Sequence, residues 1–203
     1  MQEIVEGILT WPWFSEPHGY NFNGHLLRLP GGNIAIDPVS PTEADMDAIV
    51  AEGVDLILLT NRNHSRAANL VRQRTGAETR IHPDDAAHAQ AQGTEVDGTL
   101  AVGARIGPLE VVGAAGKSPG EVVLFWPDRK ILIVGDAVIG NPPGACGLLP
   151  ERVMDDPARL RASVRRLMEL DFDILLVGDG VSILGGARDR LGELVARFPD
   201  EPA

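Results

Sequence analysis

Residues 56–66 read Leu56-Ile57-Leu58-Leu59-Thr60-Asn61-Arg62-Asn63-His64-Ser65-Arg66, and this stretch decides the fold. The run Val54–Leu59 is almost wholly apolar, the pattern of a central strand covered on both faces. It ends at Thr60 and passes directly into a polar loop. Beyond the loop Ala67, Ala68, Leu70 and Val71 keep helical spacing, and Ser65 is the predicted cap of that helix.

Strands and helices interleave on either side of this segment. Glu3–Leu9, His25–Leu29 and Asn33–Ile36 read as strands, the last two split by Pro30-Gly31-Gly32. A helix is predicted over Glu43–Ala51 with Thr42 as its N-cap. A short strand Thr79–His82 and a helix Pro83–Gln92 follow, the helix opening on proline. After Gly93 the pattern recurs. Leu109–Val112, Glu121–Trp126, Lys130–Val134 and Ile174–Val177 are strands, and Pro157–Leu170 and Leu184–Phe198 are helices. Residues 140–150 form an irregular loop. No linker divides these elements, so one α/β domain over residues 1–203, built of two similar halves, is expected.

Composition narrows the function classes. The chain is 44% hydrophobic and 23% charged, as in an ordinary globular protein. Its net charge of −11 argues against nucleic acid or an anionic membrane as partner. The single cysteine, Cys146, excludes an internal disulfide framework and suits a reducing compartment. Met1–Glu6 lack the basic, then apolar character of a secretory signal, and no apolar run reaches the roughly 18 residues that span a bilayer. A cytoplasmic protein is expected.

Five ordered segments resemble the metallo-β-lactamase superfamily. Thr60–Arg66 stands where that family has T-H-x-H-x-D-H, and Gly116-Lys117-Ser118-Pro119-Gly120 where it has G-H-T-P-G. Lys130–Gly140 is similar to the strand that carries a bridging aspartate, here Asp136, and Leu175–Gly180 to a strand followed by G-H-G. Asn33–Pro38 is similar to an early strand ending in Asp-Pro. The resemblance implies a four-layer αββα sandwich of two mixed sheets, with a site at one edge between them.

It also implies a ligand set from which this chain departs. Asn61, Asn63 and Lys117 stand where three histidines would hold a first metal; Ser65, Arg66 and Asp179 stand where an aspartate and two histidines would complete the second. Of these positions Asp136 alone keeps the family's residue type. An ammonium has only donors and cannot ligate while charged. The two cations Arg66 and Lys117 balance the two carboxylates Asp136 and Asp179. The expectation is therefore that the cations fill the metal volume and pair with the aspartates, with no zinc or iron cofactor. The contrary reading is simple drift of solvent-facing side chains.

Several residues near the motif are weighed individually. His64 falls on a spacer position and is expected to be a loop or surface histidine. A makeshift metal site from His18, His64, Asp136 and Asp179 is the alternative. Trp11-Pro12-Trp13-Phe14 concentrates aromatic residues in a chain only 4% aromatic, and reads either as a hydrophobic plug or as a lip facing a ligand or a second subunit. Cys146 and the serines lack a histidine placed to activate them. If catalysis occurs, Asp136, Lys117, Arg66 and Asp179 are the candidates. If a ligand binds, Asn61, Asn63, Ser65, His64, His18 and Trp13 are candidates for contacting it.

Three functions stay open. The first is a non-catalytic hydrolase-lineage protein binding a small anion at Arg66 and Lys117. The second is a hydrolase of an ester, thioester or lactone with metal-free or altered chemistry. The third is a scaffold or homodimer whose pocket is filled.

Overall fold

In the computed structural model, which describes residues 1–199, the decisive apolar run forms a strand, β5 (Leu56–Leu59), and its neighbours explain its composition. Ile57 and Leu59 face a helical layer while Leu58 faces the opposite sheet, so both sides are dry. β5 belongs to a seven-stranded sheet. Its antiparallel part is β1 (Gln2–Val5), β2 (Ile8–Ser15), β3 (Tyr20–Leu27) and β4 (Ile34–Ile36). The part from β4 through β5 and β6 (Glu78–Ile81) to β7 (Gly98–Thr99) is parallel. The parallel strands are joined by α1 (Glu43–Glu52), α2 (Ala68–Thr75) and α3 (Pro83–Ala91).

The second sheet holds β8 (Arg105–Ile106), β9 (Leu109–Gly113), β10 (Val122–Trp126), β11 (Ile131–Val134) and β12 (Ile174–Val177), in the order β12-β11-β10-β9-β8. Only β11 and β12 pair in parallel. α4 (Pro157–Leu167) and α5 (Ala187–Val195) cover its outer face.

Three apolar clusters hold the layers together. Met46, Ile49, Val71 and Ala89 of the first three helices pack on Ile57, Leu59 and Ile81. Ile8, Leu27, Ile36 and Leu58 meet Leu109, Leu124, Ile133 and Leu176 between the sheets. Leu160, Val164, Leu167 and Leu191 close over Val123, Leu132 and Leu175. This is the four-layer αββα sandwich expected from the sequence.

Local differences have local causes. The strand read over Glu3–Leu9 is two strands, because Gly7 turns the chain with φ 71°. β7 and β8 are two residues long and leave no periodic signal. Ser65 does not cap α2. Residues before the helix are taken up by turns, Ala67 stands at the cap without a side-chain bond, and the Ser65 carbonyl accepts from Ala68 N–H at 2.7 Å. The last helix begins at Ala187, not Leu184, since Ile183 exchanges backbone hydrogen bonds with Leu175 at 2.8 and 2.9 Å.

The topology brings five chemically active segments to one edge. Asp37 follows β4, Thr60 follows β5, Asp136 lies just past β11, Asp179 just past β12, and Lys117 to Glu121 lead into β10. Glycine makes this convergence fit: a Cβ on Gly135 would lie 2.1 Å from Thr60 Oγ1, and one on Gly178 3.0 Å from His64 Cε1. Among the described residues no helix is long and apolar enough to cross a membrane.

Candidate functional site

The loop after β5 is wound tightly by its own polar groups. Asn61 Oδ1 accepts from Asn63 N–H at 2.8 Å, and His64 N–H donates to the Asn61 carbonyl at 3.2 Å. Asp85 fastens the loop from outside, accepting from Arg62 N–H at 2.9 Å, Ser118 Oγ at 2.5 Å and Gly120 N–H at 2.9 Å. This winding turns His64 inward, so the histidine expected in a loop or at the surface is in the loop but fully buried, with 0% of its side chain exposed. Spacing alone misses it because the residues from 61 to 67 are neither strand nor helix, and the alternation of a strand does not carry through them.

Buried His64 lies between two carboxylates. Nδ1 is 2.8 Å from Asp37 Oδ2, and Nε2 is 3.0 Å from Asp136 Oδ1. Burial would lower the imidazole pKa, but Asp136 and Asp37 outweigh burial and the nearby Arg66 and lift it to about 10. The ring is thus an imidazolium, a donor at both nitrogens. Asp37 also accepts from Thr60 N–H at 2.8 Å and Thr60 Oγ1 at 2.6 Å. It adopts φ 49°, a left-handed conformation that aspartate tolerates better than most residues.

Asp136 is engaged on both oxygens. Oδ1 faces His64, and Oδ2 lies 3.0 Å from Lys117 Nζ, which also donates to Asn63 Oδ1 at 2.5 Å. Burial opposes ionisation here, yet His64, Lys117 and Arg66 hold the Asp136 pKa far below the usual carboxylate range. Behind it, Glu121 Oε1 accepts from Asp136 N–H at 2.8 Å and from Asn61 Nδ2 at 3.3 Å. Burial and the Asp136 charge raise the Glu121 pKa well above its ordinary value.

A looser pair lies beside this cluster. Arg66 Nη2 is 3.5 Å from Asp179 Oδ1, and its guanidinium stacks 4.1 Å from the centre of the Phe22 ring. Burial and the charge of Asp136 push Asp179 up to about 6, against His64 and Arg66. The segment bearing Asp179 is clamped to β3. Asn23 Nδ2 donates to the Val177 and Gly180 carbonyls at 3.1 and 2.9 Å, and Asn23 N–H to the Gly178 carbonyl at 2.7 Å. Next to it a cavity of about 290 Å3 opens between Phe14, Tyr20 and Asn21 of the β2–β3 hairpin, Asn141 and Pro143, and Gly180 and Val181. Burial, then Asp179 and Asp136, push the Tyr20 phenol up to about 12.

A sequence model described as the metallo-beta-lactamase superfamily matches residues 5–198. The chain belongs to the metallo-beta-lactamase superfamily. Solved structures agree on the fold. TTHA1623, described in a di-iron-bound form, is 25% identical with a TM-score of 0.69, over 92% of this chain and 97% of that one. A metallo-beta-lactamase from Pontibacter korlensis has a TM-score of 0.77 at 19% identity, covering 96% of each chain. FIM-1 from Pseudomonas aeruginosa, in its mono-zinc form, has a TM-score of 0.75 at 16% identity, over 96% of this chain and 93% of that one. No curated protein sequence matches the chain.

At the positions where the superfamily resemblance places metal ligands, the structure brings together Lys117, Asp136, Arg66 and Asp179, with Asn61 and Asn63 supporting them. Both cation–aspartate pairs foreseen from charge balance are formed. Ser65 takes no side-chain part in the cluster. His18 is exposed and bonds Ser15 Oγ at 2.7 Å, apart from the other members of the makeshift metal site. One grouping of three residues able to ligate a metal is present among the described residues: His64, Asp136 and Asp179 offer atoms within 4.8 Å of one another. The aromatic run divides. Trp11 is a buried plug bonded to the Val39 carbonyl at 2.9 Å, while Trp13 and Phe14 are 42% and 51% exposed. Asp37, Glu121 and Tyr20 were not singled out from the sequence, although the Asp-Pro at the end of β4 marked the first. Cys146 is buried, and burial pushes its thiol up to about 11, far from nucleophilic.

Proposed function

We propose that in this member of the superfamily a buried ion-pair cluster stands in place of the metal centre, and that the protein binds a small molecule in the cleft beside Asp179 without metal-dependent hydrolysis. The observation that carries the reading is His64 between Asp37 and Asp136. A ring protonated on both nitrogens has no lone pair for a metal, and Lys117 on the second oxygen of Asp136 has only donors. Three cations, His64, Lys117 and Arg66, face three carboxylates, Asp37, Asp136 and Asp179. A zinc or iron ion placed among them would have to displace Lys117 from Asp136 and take the proton from His64. The residues present do not fit the group.

The adjoining cavity, about 290 Å3, lies near the lower end of small-ligand pockets, which favours binding over a purely filled scaffold. Lys117 and Arg66 are taken up by the aspartates, so the cleft suits an uncharged molecule, with Asn21 and Asn141 as polar contacts and Phe14 and Val181 as apolar ones. A cytoplasmic location is part of the same reading, supported by the net charge and the single buried thiol.

The test is elemental analysis of protein purified without chelator, with melting curves in EDTA and in added zinc. No stoichiometric metal and an unchanged melting temperature are expected. Full occupancy by zinc, iron or manganese overturns the reading.

One observation favours a second reading, metal-free hydrolysis of an ester, thioester or lactone. A carboxyl poised near pKa 6 beside an open cleft is suited to act as a general base. Turnover by the wild type that disappears in Asp179→Asn supports it, and absence of turnover across the panel removes it.

A further inference from the structure

The loop that sends Lys117 to Asp136 also sends Pro119 to a separate cavity of about 230 Å3, lined by His82, Asp84, Glu121, Arg159 and Arg166. Arg159 and Arg166 both lie on α4, seven residues apart. That spacing is close to two helical turns, so both rise from one face, about 10 Å apart along the axis. Neither pairs with a carboxylate among the described residues. Arg166 donates to the neutral Ser163 Oγ at 3.0 Å, and the Arg159 guanidinium has no partner there. Arg161 of the same helix behaves differently, pairing with Glu151 at 2.6 Å, as does Arg62 with Asp155 at 2.6 Å.

In a chain of net charge −11, two unneutralised guanidiniums converging on one cavity call for a counter-charge. The other lining groups agree. His82 Nδ1 accepts from Asp84 N–H at 3.2 Å, which leaves Nε2 as the protonated, donating nitrogen. Glu121 is buried, and its Oε2 has no hydrogen-bond partner. Asp84 is the exposed acidic group of the lining, its side chain 62% accessible and therefore well screened.

We propose that this cavity binds a compact oxyanion, the phosphate or carboxylate group of a small molecule, with Arg159 and Arg166 as its charged contacts and His82 as a further donor. The planar guanidinium fork matches both kinds of oxyanion. The inference does not depend on the fate of the metal centre.

Calorimetric titration with inorganic phosphate, and separately with malonate, at constant ionic strength tests it. Wild type is compared with Arg159→Gln/Arg166→Gln and with Arg152→Gln, an exposed arginine outside the cavity. Saturable binding of at least one anion is expected, at least tenfold weaker in the double variant and unchanged in Arg152→Gln. Saturation by phosphate alone assigns a phosphate-bearing ligand, and by malonate alone a carboxylate. Both arginines are exposed, so the double variant keeps the fold, which circular dichroism verifies. The proposal is overturned if neither anion saturates the wild type, or if the double variant binds as the wild type does. Either result leaves the metal analysis untouched.

Discussion

Lys117–Asp136 and Arg66–Asp179 are both cation–carboxylate pairs placed just beyond the ends of neighbouring strands, yet they are finished differently. Asp136 has a cation on each oxygen, at 3.0 Å in both cases, and its backbone N–H is taken by Glu121. Among the described residues Asp179 has one ion pair, long at 3.5 Å, with the Tyr20 phenol nearby, and lies beside an open cleft. The same charges therefore give opposite results. Where every lone pair is met, the carboxylate stays ionised and becomes part of the core. Where one is left poorly met, burial wins and the group titrates near neutrality. On the proposed reading, the difference separates an inner pair built into the core from an outer one able to respond to a ligand.

The sharpest way to break this contrast is to remove one acid from the inner pair and one base from the outer. Asp136→Ala leaves His64 and Lys117 buried without their partner, a change that typically costs about 3–5 kcal/mol. Arg66→Gln removes a long, partly exposed contact and is expected to cost about 1 kcal/mol or less. Urea unfolding of the two variants measures both. Equal losses, or a negligible loss for Asp136→Ala, would mean that the inner cluster is not structural.

A second experiment addresses the inner cluster alone. With its pKa raised from 6.5 to about 10, His64 binds a proton more tightly in the folded chain than in the unfolded one. Its contribution to stability is complete below about pH 6.5 and is lost as pH rises through about 10. Nitrogen NMR of the imidazole should accordingly show a doubly protonated ring at pH 8, and unfolding free energy should fall from pH 7 to pH 10. A neutral ring at pH 8 would refute the imidazolium and reopen the site to metal.

Much of this was legible in the residues before the fold was seen. The strand ending at Thr60, the Gly-Asp after β11 and the Gly-Asp after β12 located one edge of a sandwich, because apolar runs that stop at polar turns mark where strands end. The charges of Arg66, Lys117, Asp136 and Asp179 pointed to their pairing, since sign balance survives without coordinates. His64 was not legible. Its direction depends on the Asn61 side chain bonding Asn63 N–H, a turn that no periodicity describes. Nor was the role of Asp37, which required β4 and β5 to be parallel neighbours so that its carboxylate reaches Thr60 and His64. The oxyanion cavity was equally hidden, as it joins Arg159 and Arg166 of α4 to His82, the residue preceding α3.

A third effect concerns the outer carboxyl and carries the opposite sign to the first. Asp179 holds its proton to about 6 when folded, against an ordinary value of 3.8. As pH rises from about 4 to 6 the unfolded chain ionises first, so folding loses stability across that window. Asp179→Asn abolishes this loss. The shift of about two pKa units already contains the Arg66 attraction and corresponds to about 3 kcal/mol, so the variant should be more stable than wild type at pH 7 by up to about that amount. Below pH 4 wild-type Asp179 is neutral too, and the advantage should vanish. Asp136→Asn should do the reverse and destabilise at pH 7, because that carboxyl is depressed and its charge is what His64 and Lys117 bind. Melting temperatures of both variants at pH 4 and pH 7 decide the matter. Two variants shifting in the same direction would show that the pairs differ only in distance, whereas opposite shifts require that one carboxylate is held by the fold and the other is strained by it.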